Sequence, residues 1–308
     1  MGVAIKIEGY TKTYRLYMPK RLVNAVENLN LEVYEGEIFG FLGPNGAGKT
    51  TTIKMLLGLT YPTAGQAFVL GKPAGDIETK KEISYLPESP YFYEYMTGQE
   101  VLDFYGRLFG LDADTRKRRV EELLKTVGLY ADRFKPLSQY SKGMLQRIGI
   151  AQALVNDPKL LFFDEPTSGL DPIAHMDIRD LILKLKEQGK TVFLSSHQLS
   201  DVEMVCDRIS ILNRGRLLKI GYLKDLLAHG KVEITAQGLG EQALAKLREA
   251  YPTLQTNNGS IVVHEEAGPK VDDAIDMIRQ MNGRIISVIP QRRTLEDLFV
   301  ETIREERR

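Results

Sequence analysis

The residues that could do chemistry begin at Gly43-Pro44-Asn45-Gly46-Ala47-Gly48-Lys49-Thr50-Thr51. The spacing fits G-x-x-x-x-G-K-S/T, a turn whose backbone N–H groups converge on phosphate oxygens. Glycines are needed there because a Cβ would block the anion's approach. Lys49 supplies a mobile cation for the outer phosphates, and Thr50 a hydroxyl for Mg²⁺. A helix beginning near Gly48 adds its positive end. Far downstream, Leu160-Leu161-Phe162-Phe163 runs into Asp164-Glu165. Four apolar residues and then two carboxylates place acid at a strand's carboxyl end, the edge of a parallel sheet where ligands sit. Asp164 is expected to hold Mg²⁺ through its water shell, and Glu165 to take the proton of an attacking water. The two stretches together describe hydrolysis of a nucleoside triphosphate.

Such groups work only if several strands end at one rim. Residues 37–42 read as a short buried strand entering the glycine-rich turn, and residues 53–57 as the first turns of the following helix. Residues 3–7 and 29–33 alternate as strands, and 66–70 and 83–86 also look like strands. Between the first two, residues 10–20 are polar and aromatic and end at Met18-Pro19. From residue 99 to 155 apolar side chains recur at helical spacing in three segments, a helical insertion within an α/β domain. It carries Arg116-Lys117-Arg118-Arg119 beside Glu121-Glu122, which reads as a solvated helix face. Docking on a partner or on lipid headgroups is the alternative. Strand and helix then alternate, with strands at 159–163, 191–194 and 208–212 and helices at 174–188 and 199–206.

After Ala228-His229-Gly230 the texture changes to a βαβαβ run with short loops. The expected organisation is therefore a nucleotide domain over 1–228, with a helical subdomain at about 90–156, and a small α+β domain of ferredoxin-like type over 229–308. His229 and His264 are isolated and read as ordinary side chains.

Composition narrows the class. The chain has 308 residues, 41 Lys+Arg against 41 Asp+Glu, and one cysteine, Cys206. The neutral balance gives no field to steer nucleic acid or anionic lipid, and a lone cysteine allows no internal disulfide. The first residues lack the pattern of a secretory signal. No apolar run reaches the roughly 18 to 20 residues of a spanning helix, so a membrane role is expected to come through a partner.

With the phosphate turn and the Asp164-Glu165 strand in place, residues 3–228 resemble the ATP-binding cassette (ABC) ATPases. The resemblance implies a P-loop NTPase core with an antiparallel β subdomain and a helical insertion, and ATP with Mg²⁺ as ligands. It also implies that Tyr14 stacks on adenine and that His197, in Leu194-Ser195-Ser196-His197, contacts the γ-phosphate. Ser168-Gly169-Leu170-Asp171 matches the turn that runs along the family's dimer seam. The family signature Leu-Ser-Gly-Gly-Gln corresponds to Tyr140-Ser141-Lys142-Gly143-Met144. Ser141 and Gly143 are retained; Lys142 either adds a cation near the γ-phosphate or points to solvent.

Another departure is Glu88, which stands where the family has a glutamine linking nucleotide to the helical insertion. A carboxylate still suits Mg²⁺, but it cannot donate an amide hydrogen bond. The implied unit is a head-to-tail homodimer enclosing two ATP, working with a separate transmembrane permease subunit on the inner face of the cell membrane. The ending Thr294-Leu295-Glu296-Asp297-Leu298-Phe299 resembles exporter ATPases. A soluble ABC ATPase acting on nucleic acid or ribosomes is the alternative, and it lacks support from charge, a coiled-coil insertion or a second cassette. A metabolic P-loop kinase would leave Ser141, Gly143 and Asp171 unexplained.

Overall fold

The computed structural model describes residues 2–17, 20–228, 231–257, 260–266, 268–291 and 293–306; Met18, Pro19 and His229 lie outside them. The chain divides into two units, Met1–Gly221 with Thr302–Arg308, and Tyr222–Glu301. The first unit runs β1 (Val3–Tyr17), β2 (Lys20–Tyr34), β3 (Ile38–Leu42), α1 (Lys49–Leu56), β4 (Ala64–Val69), β5 (Lys72–Pro73) and β6 (Ile83–Leu86). Then come α2 (Gly98–Leu108), α3 (Ala113–Thr126), α4 (Lys142–Ala153), β7 (Leu160–Asp164), α5 (Pro172–Glu187), β8 (Thr191–Ser196), α6 (Leu199–Val205), β9 (Arg208–Asn213) and β10 (Arg216–Tyr222).

The central sheet has the order β10-β9-β3-β8-β7-β6, and its β9-β3-β8-β7-β6 run is parallel. Strands buried on both faces explain the unbroken apolar runs. Phe193 in β8 packs against Phe39 and Phe41 of β3 and Phe162 of β7, with ring centroids 5.7, 5.0 and 5.6 Å away. That cluster locks three adjacent strands together. The register sets Asp164 beside Ser195 and Leu42 beside Ser196, so the strands end level at one rim.

A second sheet, β2-β1-β4-β5, is antiparallel. Its β1–β2 pair is much longer than the alternation at 3–7 and 29–33 suggests. Tyr10 shows why: its ring is buried and its hydroxyl donates to the Met55 carbonyl at 3.3 Å, so the aromatic segment continues the strand under α1.

The helical insertion has its three helices, each started by a side-chain cap at Thr97, Asp112 or Ser141. The basic run in α3 is only partly a solvated face. Arg116 binds Asp103 of α2 and the Leu111 carbonyl, and Arg119 donates to the Leu154 carbonyl at 2.7 Å. These two guanidiniums tie α3 to its neighbours, because the long stems cover apolar surface while the heads reach backbone oxygens.

The second unit contains α7 (Leu223–Leu226), β11 (Lys231–Gln237), α8 (Glu241–Ala250), β12 (Gln255–Asn257), β13 (Ser260–Glu266), α9 (Pro269–Gln280) and β14 (Arg284–Gln291). Its sheet order is β12-β13-β11-β14, with antiparallel neighbours. This is the split βαββαβ arrangement of ferredoxin-like folds. Strand β12 is the element missing from the sequence reading, since Gln255-Thr256-Asn257 is short and polar. The core is Ile234, Ala236, Leu247, Val263, Ala274 and Ile278. A last helix, α10 (Leu295–Glu305), crosses the boundary between the units.

Helix α2 begins with a complete capping box. Thr97 Oγ1 accepts the Glu100 N–H at 3.2 Å while Glu100 accepts the Thr97 N–H at 2.8 Å. Thr97→Ala is expected to lower unfolding free energy by about 1 kcal/mol; urea denaturation checks it.

Candidate nucleotide site

The phosphate turn is clamped from behind. Gly48 has φ +108°, and a Cβ there would meet the Ala25 carbonyl of β2 at 2.3 Å. A Cβ on Gly43 would lie 2.6 Å from the Leu212 carbonyl of β9. Neither position accepts a side chain without moving a strand. In front lies a cavity of about 470 Å³, walled by residues 45–51 on one side and by Glu88, Glu165, Ser168 and His197 on the other. The structure thus gathers Asn45, Gly46, Ala47, Gly48, Lys49, Thr50, Thr51, Glu88, Glu165 and His197 from four separate stretches of chain.

The charges at its floor are already engaged. Lys49 Nζ donates to the Gly43 carbonyl at 2.7 Å and lies 3.1 Å from Glu165 Oε1, with both side chains buried. The other oxygen, Glu165 Oε2, is 2.7 Å from His197 Nδ1 and accepts the His197 backbone N–H at 3.2 Å. Glu165 itself sits at φ +52°, an uncommon conformation for a non-glycine residue. Its N–H donates to the Ser195 carbonyl at 3.0 Å, which holds that conformation in place.

Asp164 is buried behind these groups and is not on the cavity wall. The Ser195 hydroxyl donates to its Oδ1 at 2.6 Å, and the Tyr85 hydroxyl lies 3.4 Å from its Oδ2. Burial, followed by the neighbouring Asp164 charge, pushes the Tyr85 phenol well above its usual range. Sequence reading missed Ser195 and Tyr85 as Asp164's supports, and Ala25 and Ser168 as wall residues. For Ser195 a signal exists: it pairs with Asp164 once β7 and β8 are taken as parallel neighbours.

The remaining candidates lie elsewhere. Tyr14, on β1 opposite Val23, is 38% exposed with Lys12 Nζ 5.1 Å from its ring centre, off the cavity wall. Ser141 caps α4 by accepting the Met144 N–H at 3.2 Å, and Asp171 caps α5 by accepting the Ala174 N–H at 2.9 Å. A Cβ on Gly143 would stand 3.1 Å from that of Ala174, so the starts of α4 and α5 pack on each other.

The cavity fits a polyphosphate. It offers the start of α1, where no acidic residue occupies the first turn, and the Lys49 ammonium. Among the described residues no cluster of three or more His, Cys, Asp or Glu forms a metal cage. Thr50 and Glu88 on the cavity wall and Asp164 behind it are oxygen donors of the kind Mg²⁺ takes.

Comparison with known proteins agrees with this geometry. The ABC transporter family pattern matches residues 26–168. An uncharacterized ABC transporter ATP-binding protein of Synechocystis sp. is 44% identical over 299 residues, covering 96% of this chain and 83% of that one. The chain belongs to the ABC transporter family. The bacitracin transport ATP-binding protein BcrA of Bacillus licheniformis is 36% identical over 313 residues, covering 98% of each chain. Among solved structures, a dimeric post-hydrolysis state of the ATP-binding cassette MJ0796 bound to ADP and Pi aligns with a TM-score of 0.65 at 28% identity, over 71% of this chain and 98% of that one. This ABC protein is an ATP-binding transporter subunit that hydrolyses ATP.

With Lys49 in its expected role, phosphate would compete with the Glu165 carboxylate for the ammonium. Glu165→Gln is expected to bind ATP about tenfold more tightly and to lose turnover. Lys49→Ala is expected to weaken ATP binding by at least about tenfold. Equilibrium binding of a fluorescent ATP analogue, with phosphate release, checks both.

Proposed function

We propose that this ABC subunit powers export through a separate membrane subunit, as a head-to-tail pair in which each copy completes the other's nucleotide site. The observation that carries the reading is a division of labour within one chain. The cavity wall holds Lys49, Glu165 and His197, whereas Ser141, Gly143 and Asp171 cap or line the starts of α4 and α5 away from it. A helix start with a hydroxyl cap and a glycine suits an anion presented by another chain. Among the described residues no helix is long and apolar enough to cross a membrane. A fluoroquinolones export ATP-binding protein of Mycobacterium tuberculosis, 41% identical over 219 residues, supports export. The inner face of the membrane is the corresponding location.

The chemistry follows from the resting contacts. Lys49 leaves Glu165 for the outer phosphates and brings its charge to them. Glu165, freed on one oxygen and still held by His197 on the other, is oriented to accept a proton from water. His197 lines the cavity and reaches the terminal phosphate with its remaining ring nitrogen. Tyr14 supplies a ring for the base. Mg²⁺, when bound, would neutralise phosphate charge, with Thr50, Glu88 and Asp164 as the residues nearest to hold it directly or through water.

Glu165→Gln protein in saturating Mg-ATP is expected to run as a dimer in light scattering and to return to monomer when ATP is removed. A monomer in Mg-ATP would sink the paired-site reading. Glu88→Gln is expected to shift the Mg²⁺ concentration for half-maximal hydrolysis; an unmoved titration would remove Glu88 from the metal's surroundings.

A further inference from the structure

The turns that leave β7 and β8 are joined by side chains at successive steps along the chain. Nearest the cavity, His197 donates its backbone N–H to Glu165 Oε2 at 3.2 Å and sets Nδ1 2.7 Å from the same oxygen. One step outward, the Thr167 hydroxyl donates to Gln198 Oε1 at 3.1 Å. Farther out, His175 Nδ1 lies 3.1 Å from Asp201 Oδ2, between α5 and α6. Glu165 and His197 are on the cavity wall, whereas Thr167 and Gln198 are off it.

Both partners of the Thr167–Gln198 bond are held by their own turns. Thr167 is 5% exposed and stands two residues past Glu165. Its carbonyl accepts the Leu170 N–H at 3.3 Å, and the Ser168 N–H donates to the Glu165 carbonyl at 3.1 Å, so the turn around it is closed at both ends. On the facing side, the buried Ser196 hydroxyl accepts the Gln198 N–H at 2.9 Å. That bond folds the chain back across a single residue, and the residue is His197. His197 is therefore the tip of a loop gripped by Ser196 and, through Gln198, by Thr167. Its own side chain is 42% exposed, so packing alone does not fix the ring. A buried hydroxyl is costly to leave without a partner, which keeps Thr167 on Gln198.

We infer that Thr167 and Gln198 are positioning residues for His197. Their hydrogen bond fixes the loop tip against the turn that carries Glu165, so that Nδ1 stays on the carboxylate while the ring lines the cavity. The pair touches no nucleotide and acts on turnover through the histidine. This rests on the reading that His197 acts on the bound nucleotide and is independent of the paired-site reading.

A double-mutant cycle on the full-length chain tests it, with Thr167→Val, His197→Ala and the double variant compared. Thr167→Val keeps the branched shape and deletes the hydroxyl, and the half-buried Gln198 can then turn to water. It is expected to lower kcat about fivefold, the worth of one hydrogen bond, with binding of a fluorescent ATP analogue and melting temperature nearly unchanged. Thr167→Ser returns the donor and is expected to return most of kcat. Gln198→Met removes the acceptor at a more exposed position and is expected to repeat the loss, which keeps the test open if Thr167→Val does not fold. In the His197→Ala background, Thr167→Val is expected to slow single-turnover phosphate release no further. Losses that multiply in the double variant would overturn the inference. So would a Thr167→Ser protein as slow as Thr167→Val, or wild-type kcat in Thr167→Val or Gln198→Met beside a slowed His197→Ala. Undiminished turnover in His197→Ala would instead remove the role of His197 itself, and the inference with it.

Discussion

A buried ammonium and a buried carboxylate hold the site together. Lys49 and Glu165 are each withdrawn from water, and each would be costly to leave alone there. Their contact fastens the start of α1, after β3, to the end of β7, and His197 adds the end of β8. Three adjacent strands are therefore joined at their carboxyl ends by one chain of charge and hydrogen bonds. The phenylalanine cluster beneath them keeps those ends level, so that the network spans a fixed distance.

This constraint makes the resting site self-occupied. On the proposed mechanism, the lysine that meets phosphate is held by the residue that accepts the proton. That mechanism has binding free the base and engage the cation in a single exchange. Removing either partner does more than delete a role: it leaves the other charge buried with weaker company. The supports around Asp164 follow the same logic, with Ser195 and Tyr85 saturating a carboxylate that burial would otherwise penalise.

Much of this was legible from residue order. The glycine-rich turn and the acid pair after an apolar strand specify chemistry through local spacing, and local spacing is what a sequence displays; His197 came from the family resemblance. The helical insertion was readable for the same reason. What stayed hidden was long-range. Tyr10 reads as the start of a polar, aromatic stretch until its hydroxyl is seen on the Met55 carbonyl, and Arg116 and Arg119 read as solvated until α2 and the end of α4 come beside them. Strand β12 escaped because an edge strand of three polar residues has no period.

The central claim is that one chain carries two unlike halves of the nucleotide site. The most direct measurement mixes two inactive variants, Lys49→Ala, which damages the cavity, and Ser141→Arg, which damages the start of α4. Each alone is expected to be inactive, and their mixture to recover ATP hydrolysis, because one site in each mixed pair would have Lys49 from one chain and Ser141 from the other. Hydrolysis by the mixture no greater than the sum of the separate variants would contradict the account.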